Sequence, residues 1–219
     1  MLELILLVVI VTLLAFPLGK YLAAIMHNRT MKIDPLFNWI EKPIYAILGT
    51  NPKQGMNVQT YILSFIFSCI VIGVVVWALF RVQAWLPFNP NHAPNMSWDL
   101  ALHSMISFLT NTNQQHYSGQ AQLSYLSQMV GIVGLQVITP MMGLAMVVAT
   151  VRALFFDRSN EQTATASHSS DQSFTKKMKS INVGNYWADV IRPTFRFLLP
   201  ICMVWALFLN SQGVPATFQ

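Results

Sequence analysis

Apolar residues run almost unbroken through four stretches of this chain, each long enough to cross a bilayer. The first spans about Leu2–Met26, with Glu3 and Lys20 as its only charges and Pro17 inside it. The second, about Gln59–Phe80, carries no charge. The third, about Leu123–Phe156, is interrupted by Gly131, Gly134, Pro140 and Gly143. The fourth, about Tyr186–Leu209, is entered through Arg192 and Arg196. A transmembrane helix needs roughly 20 apolar residues, so the third is expected to tilt, kink or extend beyond the membrane. The pattern predicts an all-α membrane protein with about four transmembrane helices.

Two shorter segments do not fit a full crossing. Pro35–Leu48 is short and broken, and its Trp39 and Tyr45 suit the headgroup level. It is expected to lie along the interface or, equally, to form an ordinary loop packed on the membrane domain. Asn95–Leu109 reads as one helix of about 12 residues, too short to cross but long enough to dip halfway and return. Ser97 is placed to cap it, and Asp99 suits its positive first turn. The segment that follows changes character: Ser107–Gln120 is a run of small polar residues between apolar spans. Span, re-entrant pore helix, polar loop and outgoing span then form one unit.

The chain has 219 residues, 54% hydrophobic and only 10% charged, with a mean hydropathy of +0.47. Soluble domains carry roughly 25% charged residues, so this composition argues for a membrane protein. The net charge is +5, but the 13 basic residues cluster in loops and describe topology rather than nucleic-acid binding. Arg29, Lys32, Lys42 and Lys53 lie between the first two spans. Arg158, Lys176, Lys177 and Lys179 lie between the last two, with Arg152 at the edge. The connection holding the polar loop has only Arg81. This distribution puts the N-terminus and Gln219 outside, both basic loops in the cytoplasm, and the polar loop entering from outside. Glu3 and the absence of a basic leader argue against a cleaved signal peptide.

The expected organisation is residues 1–26 as the first span, 27–58 as a cytoplasmic loop with an interfacial segment, and 59–156 as the span–pore loop–span unit. Residues 157–185 form a cytoplasmic linker, and 186–219 the fourth span and its outer end. Within the linker, Ser159–Ser180 is rich in Ser, Thr, Gln and Lys and reads as solvated and mobile.

The chemistry lies in the polar loop. No charged residue separates Asp99 from Arg152. Hydroxyls, amides and backbone carbonyls are therefore the polar groups at membrane depth. Irregular backbone survives there only where protein or a water-filled cavity satisfies it. An oxygen-rich, charge-free loop suits an alkali cation that must exchange its water shell at little net cost. Thr110, Asn111, Thr112 and Asn113 are the expected filter, with Gln115 at its outer rim and Tyr117, Ser118 and Gly119 as support. The C-terminal pole of the pore helix adds partial negative charge. The alternative is a polar extracellular loop between two helices. Gly119 is read as freeing the exit turn, or as a plain loop glycine. His116 near the mouth offers pH sensitivity, though a solvated loop histidine is the simpler reading. His103 reads as a packed or hydrogen-bonded helix residue.

His27, His92 and His168 lie apart and form no metal spacing. Cys69 and Cys202 sit inside apolar spans without CxxC spacing, so neither disulfide nor metal chemistry is indicated. Met141-Met142 and the aromatic residues of the spans read as packing. No nucleophile–base pair is found at membrane depth, and neither a GxxxxGK[ST] loop nor a DKTG-type phosphorylation motif occurs.

At Thr110-Asn111-Thr112-Asn113-Gln114-Gln115, Tyr117-Ser118-Gly119-Gln120 and Leu123-Ser124-Tyr125-Leu126-Ser127-Gln128-Met129 the chain resembles a known family. It is the potassium-translocating A subunit of Kdp-type P-type potassium pumps, whose first pore loop typically reads TNTNWQ, then YSGE and LSYxSQM. Leu207-Phe208-Leu209, Ser211-Gln212-Gly213-Val214 and Thr217-Phe218 resemble that family's segment after its fourth span. The likeness covers nearly the whole chain. Gln114 replaces the usual Trp, a large packing residue. Gln120 replaces the usual Glu, a charge near the mouth.

The resemblance implies a non-catalytic subunit that binds potassium outside a bacterial cytoplasmic membrane. It passes the ion through an intramembrane tunnel to a separate catalytic subunit, which hydrolyses ATP through an aspartyl-phosphate. Accessory subunits and membrane lipid are further implied partners, K+ is the transported ion, and no covalent cofactor is expected. Family members carry four such units and about ten spans, whereas this chain carries one unit and the next span. One loop supplies about a quarter of a filter's oxygen ring. A stand-alone oligomeric potassium channel and a non-conducting truncated remnant are the alternatives.

Overall fold

A computed structural model describes residues 2–27, 31, 34–164 and 181–214. Among these, the regular structure is helical apart from one antiparallel bridge between Asn57 and Asn182. Helix α1 is Leu2–Met26, α2 is Asp34–Ile47, α3 is Val58–Val82, α4 is Trp98–Leu109, and α5 is the single turn Gly119–Gln122. The third span begins as a π-helical stretch, Ser127–Val133, and continues as α6, Gly134–Ala164. The fourth span comprises Tyr186–Pro193, a π-helical turn Thr194–Leu198, and Leu199–Ser211. Among the described residues, four helices are long and apolar enough to cross a membrane: Glu3–Met26, Val58–Trp85, Ser127–Phe155 and Tyr186–Ser211.

Local chemistry explains the boundaries. Asn57 caps α3, its side-chain oxygen accepting the Thr60 N–H at 2.8 Å. The π turn of the fourth span follows Pro193, whose ring removes a backbone donor. Three sequence expectations shift. The third span starts at Ser127 rather than Leu123, because Leu123 is extended, with φ −122° and ψ 128°. Helix α6 continues through Ser159–Ala164, so that part of the expected mobile linker has helical backbone; the remainder of the linker, 165–180, lies outside the described residues. Tyr45 is buried at 6% exposure, whereas Trp39 is 69% exposed. Glu41 and Tyr45 share one face of α2, and that face turns inward because Glu41 pairs with arginine.

The chain divides into two compact units. One comprises residues up to Asn51 with Ile191–Val214; the other contains Pro52–Val190. The first unit is held by a buried ion cluster. Arg196 donates to Glu41 at 2.5 and 2.9 Å, to Asp34 at 2.5 Å and to Asn38 at 3.2 Å. Tyr21 donates to the Arg196 carbonyl at 2.8 Å. Burial, then the Glu41 charge, pushes the Tyr45 phenol far above its ordinary range.

The second unit holds the re-entrant segment. Its core is Val76, Phe80, Met96, Ala101, Phe108, Leu123, Ile132 and Leu135. Helix α3 approaches the third span closely at Gly131, where a Cβ would lie 2.6 Å from Phe80 Cε1. At the other end of this unit, Arg152 donates to Asp189 at 2.5 and 3.2 Å and to the Val183 carbonyl at 3.0 Å. The Tyr61 hydroxyl lies 3.0 Å from both Asp189 and the Ala145 carbonyl.

Candidate functional site

Helix α4 takes the expected 12-residue length and starts at Trp98. Ala101, Ser104, Ser107 and Phe108 form its buried face. It leans on α3 at Gly73, where a Cβ would lie 3.1 Å from Met105 Sδ. The approach to α4 is pinned by backbone bonds. Met96 N–H donates to the Phe80 carbonyl at 3.2 Å, and Arg81 donates to the Met96 carbonyl at 2.6 Å. Ser97 occupies the cap position without a side-chain cap bond. Instead its hydroxyl hydrogen-bonds Asp99, and this bond holds the Asp99 carboxyl below the usual carboxylate range; the Asp99 and Leu100 N–H groups and the Arg81 charge act in the same direction.

At the C-terminal end of α4 the chain folds back on the helix. Thr110 N–H donates to the Ile106 carbonyl at 2.9 Å, and Asn111 N–H to Phe108 at 3.2 Å. Thr112 and Asn113 N–H groups both reach the Ser107 carbonyl, at 2.9 and 3.1 Å. Gln114 N–H donates to the Ser107 hydroxyl at 2.6 Å, and that hydroxyl donates back to the Gln114 carbonyl at 2.9 Å. Five successive N–H groups are therefore aimed at the helix end. In a trans peptide the C=O opposes the N–H, and no described peptide is cis. The carbonyls of Leu109, Thr110, Asn111, Thr112 and Asn113 consequently face away from α4.

The asparagines make this path possible. Asn111 and Asn113 have φ of 59° and 56°, a left-handed conformation that Asn tolerates better than most residues. Placing them at alternate positions lets the chain keep turning its N–H groups to one side. The Thr110 and Thr112 hydroxyls lie 3.0 Å apart. Thr110 through His116 are exposed. The C-terminal pole of α4 lies behind the loop and adds negative potential.

The remaining expected site residues take different positions. Gln115 is exposed beyond the carbonyl array. Tyr117 packs half-buried against the unit's core, and burial pushes its phenol up. Ser118 N–H bonds the Gln122 side chain at 2.8 Å. Gly119 opens α5 with a φ outside the left-handed region and nothing within 4 Å of a Cβ. Neither conformation nor space demands glycine there, which favours the plain-loop alternative. Gln114, at the place of the usual Trp, is exposed. His103 and His116 stand with ring centroids 4.4 Å apart.

Sequence reasoning missed the residue that clamps the loop's flanks. Gln83 is fully buried just after α3. Its amide donates to the Pro94 carbonyl at 2.6 Å and to Gln122 at 2.7 Å, and its oxygen accepts Ser124 N–H at 3.1 Å. One side chain thereby ties the approach to α4 to the exit from the loop. Ser124 then bonds Ser127 at 3.0 Å, and Gln128 reaches back to the Gly119 and Leu123 carbonyls at 3.3 Å each. The only signal for Gln83 was an uncharged polar residue at the end of an apolar run.

Comparison with known proteins agrees with the motifs. The family model for the potassium-transporting ATPase A subunit matches residues 5–219. The potassium-transporting ATPase potassium-binding subunit of Caldanaerobacter subterraneus is 38% identical over 99% of this chain and 35% of its own length. The subunit of the same name from Alicyclobacillus acidocaldarius is 35% identical over 94% of this chain and 33% of its own length. That from Pseudomonas putida is 34% identical over 96% of this chain and 34% of its own length. The chain spans about a third of the length of the curated relatives it matches. With four helices long and apolar enough to span a membrane and a family match across nearly every residue, this multi-pass membrane chain belongs to the potassium-transporting ATPase A-subunit family.

Proposed function

We propose that this chain supplies one potassium-coordinating loop of an ATP-driven uptake complex, as part of its non-catalytic potassium-binding subunit. The observation that carries the proposal is the carbonyl array of Leu109–Asn113, freed by the turning of five N–H groups onto the end of α4. A potassium ion gives up water for such oxygens at little net cost when their number and field strength match its hydration shell. Thr110, Asn111, Thr112 and Asn113 provide backbone and side-chain oxygens, and Gln115 provides an amide oxygen at the rim. With no carboxylate in the loop, dipoles do the binding, which suits an ion that must leave again.

One loop accounts for about a quarter of an oxygen ring, so further loops complete the site. The ion then passes through the membrane to a partner subunit that hydrolyses ATP. The positive-inside distribution of Lys and Arg supports a loop on the outer side and an N-terminus outside. The domain plan follows the same logic, with 59–156 as the span–pore loop–span unit. The names of the relatives, each a potassium-binding subunit of a potassium-transporting ATPase, support this reading.

The test is Gln115→Arg in the assembled complex. A fixed cation at the rim competes with potassium, and the potassium concentration for half-maximal ATPase stimulation should rise at least about tenfold, a difference of about 1.4 kcal/mol. Unchanged potassium dependence would remove the filter assignment. Potassium currents from this chain alone, without ATP, would replace the pump reading with the channel.

A further inference from the structure

We infer that His103 and His116 form a two-imidazole site for a transition-metal dication of the zinc, nickel or copper class, beside the loop. His103 lies on α4 and His116 follows Gln115 on the way out of the loop. Their ring centroids are 4.4 Å apart, with planes inclined by 68°. Both residues are exposed. Among the described residues, neither ring engages any partner except the other. His27, by contrast, has its Nδ1 on the Ala23 carbonyl at 2.8 Å.

Two accessible imidazoles with uncommitted nitrogens are the ligands such ions prefer, and imidazole selects them over alkali and alkaline-earth cations. Exposed side chains rotate on the nanosecond scale or faster, so small torsional changes bring one nitrogen of each ring to a common point. No third His, Cys, Asp or Glu completes the set among the described residues. Water fills the remaining positions, and affinity stays well below that of a four-ligand structural site. Asp99, one helical turn before His103, adds negative potential while its carboxyl remains engaged by Ser97. A bound ion would bridge α4 to the loop exit and brace the loop. This inference does not depend on which ion the loop itself carries.

The experiment uses the full chain in lipid nanodiscs, with Cu2+ as a paramagnetic probe and Zn2+ as competitor. The expected result is one saturable Cu2+ per chain, with hyperfine couplings from two imidazole nitrogens, displaced by Zn2+. His103→Gln and His116→Gln should each weaken binding at least about tenfold, as loss of an inner ligand costs no less than loss of an outer-shell partner. The two together should abolish it, since no imidazole ligand then remains. A chain carrying His27→Gln, His92→Gln and His168→Gln should keep the site. Binding undiminished in either single variant, or lost in the triple variant, would overturn the assignment. So would a two-nitrogen signal that survives removal of either ring.

Discussion

Ser107 does more for the loop than a serine at the end of a helix needs to do. Its carbonyl takes two N–H groups and its hydroxyl closes a reciprocal pair with Gln114. Ser107→Ala removes the acceptor for the part-buried Gln114 N–H bond, at a cost of about 0.5–1.5 kcal/mol. The expected outcome is a lower thermal unfolding midpoint and weaker potassium binding with unchanged helix content, read by circular dichroism and ion titration. Thr110–Asn113 stood out in the sequence as a candidate loop because a charge-free polar run between apolar spans has few physical uses. Ser107 and Gln83 were not readable. Ser107 meets Gln114 only where the chain folds back on the helix end, and the partners of Gln83 lie 11, 39 and 41 residues away, so no local pattern marks either. The pairing of His103 with His116 was hidden for the same reason. It depends on the chain folding back, which only the alternating left-handed asparagines make possible.

Helices were the most legible level, because length and apolarity dictate them directly. The bounds of α1 and the 12 residues of α4 follow the sequence expectation, and the other spans differ at their ends. The π-helical stretches at Ser127–Val133 and Thr194–Leu198 carry no periodic signal and were not anticipated. Gly131 lies in the first of them, where its missing side chain admits the Phe80 ring. Phe80 is fully buried and has no room to retreat. Gly131→Ala should therefore cost about 1–3 kcal/mol by overpacking, seen as a lowered unfolding midpoint in detergent or nanodiscs. Arg196 was read from sequence only as an arginine through which the fourth span is entered. Its pairing with Glu41, 155 residues away, turns a topology marker into the centre of a buried cluster. Arg196→Ala leaves the buried Glu41 carboxylate with only the Arg192 guanidinium, 3.9 Å away, as a cationic partner, and should destabilise the unit toward the lower end of about 3–5 kcal/mol. Arg196→Met combined with Glu41→Leu should recover much of that loss, and equal damage from both would refute the argument.

On the scale of the whole molecule, the chain presents one loop with its carbonyls turned outward and spans about a third of its relatives' length. Composition and loop charge were enough to read a multi-pass membrane protein and a proposed orientation. Coordination of an ion is a collective property, and one loop carries only its own share of the oxygens. The filter assignment requires an alkali cation against the carbonyls of Thr110–Asn113. Anomalous diffraction from crystals of the assembled complex soaked in rubidium or thallium tests this directly. The expected result is a peak within coordination distance of those carbonyls that disappears in Gln115→Arg. Peaks confined to other parts of the complex, with none at Thr110–Asn113, would contradict it.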